Sequence, residues 1–198
     1  MTWTAPPGAT GLIFDCDGTL ADTMPVHFAA WAAMLAPHGV EFPESQFYAL
    51  AGMPSPMIVR LLAEEQGVPI TDDHIARMVI EKEQGYVTTI ESVVPIEPVV
   101  DVARRHRGVL PMAVASGGHR WVVNETLSAI GIADWFGAIV GAEDTERHKP
   151  EPDAFLEAAR RLGVAPEGCV VFEDAELGLE AARRAGMLPI DIRPWRAE

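Results

Sequence analysis

The chain has 198 residues, 48% of them hydrophobic and 22% charged, the balance of a soluble globular protein with one well-filled core and not of a disordered one. Fifteen Lys and Arg against 29 Asp and Glu leave a formal charge of −14. That charge repels nucleic acid and anionic lipid over most of the surface, but it allows a small phosphorylated ligand in a pocket where a metal ion and a lysine reverse the local field.

The opening stretch, MTWTAPPGATG, has no basic run followed by an apolar one, and no segment approaches the roughly 20 consecutive apolar residues of a membrane span. Cys16 and Cys169 are too few for a disulfide scaffold or a Cys-rich zinc site. A cytoplasmic protein without nucleic-acid or membrane partners is expected, as a monomer or alternatively a homodimer.

The first predicted strand is 11–15 (GLIFD). About seventy residues then read as helical, near 24–36, 55–66 and 72–91, with breaks at Pro37-His38-Gly39 and Gly67-Val68-Pro69. From there helices near 97–107, 120–131, 153–163 and 175–185 alternate with strands at 110–116 (LPMAVAS), 138–142 (AIVGA), 169–173 (CVVFE) and 188–192 (LPIDI). Most of these strands are nearly continuous apolar runs, as expected when a parallel sheet is covered on both faces. Gly108, Gly131, Gly163 and Gly186 stand where left-handed helix caps are needed. The alternation predicts an α/β fold, a Rossmann-like three-layer core with a mainly parallel sheet formed by 1–20 and 96–198. Residues 21–95 are expected to form an inserted α-helical cap above the ligand-binding end of the sheet.

Polar groups cluster at the predicted carboxyl ends of the strands. The first strand ends in Asp15-Cys16-Asp17-Gly18-Thr19-Leu20, two acids around a glycine turn, suited to binding a divalent cation or to nucleophilic and acid-base work. Alone, the same run is equally a turn with a solvated acid. The second ends in Ser116-Gly117-Gly118, whose hydroxyl and backbone N–H groups could hold phosphoryl oxygens. After the third comes His148-Lys149-Pro150, and the fourth ends Phe172-Glu173-Asp174, where Asp174 could simply cap a helix. The four together, in this order, carry far more weight than any one.

In combination these motifs resemble those of the haloacid dehalogenase-like superfamily, over nearly the whole chain. The helical insertion is similar to the small cap of the branch containing beta-phosphoglucomutase and sugar-phosphate phosphatases. Asp22-Thr23-Met24-Pro25-Val26-His27, Trp31 and Phe172-Glu173-Asp174-Ala175 are especially similar to bacterial fructose-1-phosphate phosphatase-like members. The resemblance implies that Asp15 attacks phosphorus and becomes an aspartyl-phosphate. Asp17 would protonate the departing oxygen and later deprotonate the attacking water. Mg²⁺ would be held by Asp15, the Asp17 main-chain carbonyl and Asp174, with Glu173 contributing directly or through a neighbouring ligand. Ser116, Gly117 and Lys149 would bind phosphoryl oxygens.

The expected function is therefore Mg²⁺-dependent hydrolysis of small sugar or polyol monophosphates, with the small phosphorylated metabolite as partner. True dehalogenases characteristically lack the acid at the position of Asp17. A mutase is the alternative, yet Ala51-Gly52-Met53-Pro54-Ser55 lacks the lysine and arginine that such enzymes carry on the corresponding cap loop. A non-enzymatic phospho-acceptor module is a further alternative, for which the seventy-odd inserted residues would be superfluous.

His27 can share a helix face with Thr23 and is read as a cap residue facing the site. Lys82, in Glu81-Lys82-Glu83, is a substrate contact or a member of ordinary helix ion pairs. Trp31 and Tyr86 could stack on a sugar or pack between helices. His119 could reach the pocket mouth. Cys16 and Cys169 are expected in the core, and His38, His74 and His106 at the surface. No G-x-x-x-x-G-K-[ST] run is present in the sequence.

Overall fold

The computed structural model describes residues 3–196. Five strands, β1 (Gly11–Phe14), β2 (Met112–Ala115), β3 (Ala138–Val140), β4 (Cys169–Glu173) and β5 (Leu188–Asp191), form one sheet. All pairings are parallel, in the order β3-β2-β1-β4-β5. The helices are α1 (Met24–Leu35), α2 (Glu44–Ala49), α3 (Ser55–Glu65), α4 (Asp72–Thr88), α5 (Glu97–His106), α6 (Arg120–Ala129), α7 (Asp153–Leu162) and α8 (Glu176–Arg184).

The period of two along each strand divides its apolar side chains between two layers. Leu12, Phe14, Met112, Val114, Val170 and Phe172 pack against Val99, Val100 and Ala103 of α5 and Val123 and Leu127 of α6. Ile13, Ala113, Ala115 and Val171 pack on the opposite face against Phe155, Ala158 and Ala159 of α7 and Ala181 and Ala182 of α8. Each large side chain so buried contributes about 1.5–3 kcal/mol. The small alanines let α7 and α8 lie close to the sheet. β5 departs from the continuous-burial expectation: Leu188 is exposed and Pro189 takes a central position, which an edge strand tolerates because one side of its backbone needs no partner.

Phe14 pairs with both Val114 and Phe172. This register brings the carboxyl ends of β1, β2 and β4 to one level. The chain leaves β1 for β2 on one side and reaches β4 on the other, so a crevice opens at that end of the sheet.

Between β1 and α5 the chain forms α1 to α4, with an apolar cluster of their own built on Trp31, Met34, Phe42, Phe47, Ile58, Leu62, Ile75 and Met78. Two adjacent chain crossings join this segment to the sheet: Asp22 N–H donates to Val94 O at 2.9 Å and Ile96 N–H to Leu20 O at 2.9 Å. α2 is absent from the sequence-based expectation because six residues are under two turns, too few to show a 3.6-residue period. The helix expected over 72–91 stops at Thr88 and a 3-10 turn follows at Ile90–Ser92. All four glycines expected at helix caps have positive φ, from 70° to 75°. Among the described residues no helix is long and apolar enough to cross a membrane.

Candidate active site

Asp15 continues the sheet for one step past β1, its N–H donating to Phe172 O at 3.0 Å. The backbone then coils: Cys16 O accepts from the N–H groups of Thr19, Leu20 and Ala21. Gly18 makes the coil possible. Its φ is +82°, and a Cβ there would lie 2.4 Å from Asp174 Oδ2, so a side chain is excluded both by conformation and by contact.

Lys149, in the long connection after β3, returns beneath this loop. Its Nζ donates to Asp15 Oδ1 at 2.7 Å and to Glu173 Oε2 at 2.7 Å, with all three groups buried. Glu173 Oε1 accepts from the N–H groups of Asp174 (3.1 Å) and Ala175 (2.9 Å). Gly178 on α8 makes room for this carboxylate, since a Cβ there would lie 2.0 Å from Glu173 Oε2. Asp174 Oδ1 accepts from Thr19 Oγ1 at 2.9 Å. Arg196 lies 3.7 Å from Asp174 Oδ2 and donates to Gly18 O.

Asp15, Glu173 and Asp174 each present a carboxylate oxygen within 4.8 Å of the others. Two buried acids on one lysine, with the half-buried Asp174 beside them, leave uncompensated negative charge. Burial, and after it the charge of Glu173, push the Asp15 carboxyl well above the usual carboxylate range, against the pull of Lys149. The same two causes push Asp174 up to about 6. Burial would lower the pKa of Lys149, but Asp15 and Glu173 outweigh it and hold the ammonium protonated. Hard oxygen donors with surplus negative charge are the donor set of a Mg²⁺-type cation, so these residues could hold one.

Asp17 does not join that carboxylate cluster with its side chain. Its Oδ2 accepts from Ser116 Oγ at 3.3 Å and its Oδ1 meets His27 Nε2 at 3.0 Å. Ser116 Oγ in turn accepts the Gly118 N–H at 3.0 Å. Burial, followed by the nearby Lys82 ammonium, pulls His27 below its ordinary value. At neutral pH the ring is therefore uncharged, and because a carboxylate only accepts, the proton sits on Nε2. Tyr86 stacks on this ring at 3.9 Å between centroids and bonds Thr126 Oγ1 at 2.8 Å.

A cleft lies between this floor and the helical segment. Asp15, Asp17, Ser116, Gly117 and Glu173 line one side; His27, Trp31, Ala51, Gly52, Met53, Lys82 and Glu83 line the other. Gly117 faces the loop at 51–53 so closely that a Cβ there would lie 2.7 Å from Gly52 O.

Most of the candidates line one cleft; Lys149 and Asp174 do not, but meet Asp15 beside it. Tyr86 is packed behind His27 and does not line it. His119 faces a side groove, 3.5 Å from Glu143. His106 is half-buried instead of exposed, its Nδ1 2.8 Å from Val102 O and its ring edge-on to Trp3. His38 and His74 are exposed. Cys16 and Cys169 are buried thiols whose pKa values are raised by burial, that of Cys169 to about 11. Sequence reasoning gave no role to Thr19, Ser55, Glu83 or Arg196. Thr19 was legible as part of the first motif; the others become visible only when distant segments meet.

Residues 9–186 match the family of haloacid dehalogenase-like hydrolases. The chain is 39% identical over 183 residues to fructose-1-phosphate phosphatase YqaB of Escherichia coli, covering 92% of this chain and 96% of that one. It is 27% identical to a phosphorylated carbohydrates phosphatase of Thermotoga maritima, covering 89% of this chain and 81% of that one. The structure of CbbY from Rhodobacter sphaeroides with phosphate superposes with a TM-score of 0.84 at 26% identity, covering 92% and 85% of the two chains. The family match and the phosphatase relatives identify an enzyme, a phosphoric monoester hydrolase, and the acid-lysine cluster at the carboxyl edge of the sheet fits it. The chain belongs to the haloacid dehalogenase-like hydrolases, in the beta-phosphoglucomutase-like branch.

Proposed function

We propose that this enzyme is a Mg²⁺-dependent phosphatase of small sugar or polyol monophosphates, fructose 1-phosphate-like compounds included, working through an aspartyl-phosphate on Asp15. The observation that carries this reading is the buried Asp15 carboxylate, held by Lys149 at 2.7 Å within the Asp15-Glu173-Asp174 cluster.

An anionic carboxylate approaches an anionic phosphate only where the opposing charge is cancelled and the geometry is fixed. Lys149 orients Asp15 and supplies one positive charge. Glu173, with both oxygens already accepting from this chain, serves by holding Lys149 in place. Asp15, Asp174 and the Asp17 main-chain carbonyl would hold Mg²⁺, which when bound neutralises charge between nucleophile and phosphate. Ser116 Oγ and the Gly117 N–H face the phosphoryl oxygens.

Burial raises Asp17, but His27 outweighs it and keeps the carboxyl ionised in the free site; the negative charge of a bound phosphate raises it again, so that Asp17 takes up a proton from solvent as substrate binds. In the first step an Asp15 oxygen bonds to phosphorus while the ester P–O bond breaks and Asp17 gives that proton to the departing oxygen. In the second, water bonds to phosphorus, Asp17 takes the water proton, and the bond from phosphorus to Asp15 breaks to release phosphate. His27, with Nε2 on Asp17 Oδ1, fixes the carboxyl that handles both protons.

Residues 21–95 would act as a cap over the core formed by 1–20 and 96–198, excluding bulk water and selecting the leaving group. The 51–55 loop brings no cationic side chain to the cleft, which favours release to water over return to a rotated sugar. A phosphate-release screen over sugar and polyol phosphates, with Mg²⁺ and then with chelator, tests the reading. Metal-dependent free phosphate is expected. Isomerised ester without phosphate would point to a mutase, and undiminished turnover by Asp15→Asn would sink the assignment.

A further inference from the structure

The roof of the cleft is mostly apolar, from Met24, Trp31, Phe47, Leu50 and Ile58. Two charges interrupt it, Lys82 and Glu83, only 4% and 2% exposed. Consecutive residues point about 100° apart on a helix, yet both line this cleft, so neither belongs to a solvated face of α4.

The two do not satisfy each other. Lys82 Nζ donates to Glu83 Oε1 at 3.2 Å, and Ser55 Oγ donates to the same oxygen at 3.3 Å. Glu83 Oε2 is buried and has no partner among the described residues. A carboxylate oxygen in a dry setting is costly unless a donor reaches it, and a carboxylate can only accept. What completes the site is a hydroxyl. What it opposes is a second anionic group, which would bring acceptor oxygens and like charge to the same spot. Lys82 is the single lysine or arginine lining the cleft among the described residues. Engaged by Glu83 and seated over Trp31 at 5.4 Å, it offers no surplus charge to offset a second phosphate.

Building on the proposed phosphatase reading, we infer that Glu83 determines specificity: it accepts a hydroxyl from the sugar or polyol leaving group and excludes substrates with a second phosphate or carboxylate at that end. The enzyme is thereby confined to monophosphates with a neutral, hydroxylated far end.

The test measures kcat/KM for phosphate release from fructose 1-phosphate, from fructose 1,6-bisphosphate, and from a series of deoxy-hexose monophosphates, with p-nitrophenyl phosphate as the probe of core chemistry. For the wild-type enzyme the monophosphate is expected to exceed the bisphosphate by about a hundredfold, the scale of a buried like-charge clash. One deoxy position is expected to cost about tenfold or more. Glu83→Gln, which keeps the shape and removes the charge, is expected to narrow the mono-to-bisphosphate ratio by about tenfold, a change that a loosened fold would not produce because both substrates share the core.

Equal use of both sugars by the wild type, or a ratio unmoved in Glu83→Gln, overturns the inference. If the variant does not fold, the wild-type deoxy series decides it, and a flat series is a contradiction. Turnover of p-nitrophenyl phosphate without sugar discrimination leaves the phosphatase reading standing and removes this one. No phosphate from any substrate removes both.

Discussion

Lys149 and Asp15 are 134 positions apart in the chain, and their side chains, both buried, meet at 2.7 Å. Removing one partner of such a pair leaves the other charge buried and uncompensated. Lys149→Ala is therefore expected to lower unfolding stability by about 3–5 kcal/mol, read by urea denaturation. It is also expected to cut kcat/KM by about a thousandfold, since the cation that orients the nucleophile is lost. A variant of near wild-type rate would show that Lys149 is structural only.

Gly117 approaches the helical segment so closely that a Cβ built on it would lie 2.7 Å from the Gly52 carbonyl oxygen. Gly117 has no positive φ, so Gly117→Ala strains no backbone torsion; its methyl group instead pushes the 51–53 loop away. The thermal midpoint is expected to fall by only a few degrees, while kcat/KM for sugar phosphates drops about a hundredfold from a misplacement on the ångström scale. Crystallography of the variant checks the cause directly: an unshifted loop would contradict it.

With its pKa raised to about 6 from 3.8, Asp174 binds protons more tightly folded than unfolded. Its contribution to stability is full below pH 3.8 and fades as the pH rises through about 6, worth at most about 3 kcal/mol. The metal-free protein is expected to melt at a higher temperature near pH 5 than near pH 8, and Asp174→Asn to flatten that difference. Added Mg²⁺ should act in the opposite sense, stabilising more at pH 8, because at pH 5 binding must first expel protons. Calorimetry with chelator and with Mg²⁺ reads both effects; a Mg²⁺ shift independent of pH would argue against carboxylate ligation here.

Thr126 Oγ1 donates to Val122 O and so can only accept from Tyr86. Tyr86→Phe deletes one donor, leaves Thr126 with its other bond, and keeps the ring stacked on His27. The expected cost is about 1 kcal/mol, measured from the shift of the urea midpoint.

Much of this site could be read from the chain because parallel strands buried on both faces are legible as apolar runs, and the polar residue that ends each run must emerge at the same sheet edge. Asp15, Ser116 and Glu173 follow from that rule alone. Lys149 does not. It stands nine residues beyond β3, and only the resemblance of motifs, not periodicity, singled it out.

The helical segment is less legible in the sequence. Glu83 reads locally as an i,i+1 neighbour in a charged run, whereas its setting is created by Ser55, 28 positions earlier, and by the apolar side chains of the cleft roof. Arg196 reaches Asp174 and Gly18 from the far end of the chain, a contact no local pattern encodes. His106 reads as a surface residue because nothing in its neighbourhood foretells that Trp3 folds over it.

The most direct measurement is acid quench of the enzyme during turnover with Mg²⁺, followed by peptide mapping for covalent phosphate. Phosphate on Asp15, lost in Asp15→Asn together with turnover, is the predicted result. Continued release of phosphate by Asp15→Asn, with no acyl-phosphate on the wild-type chain, would contradict it.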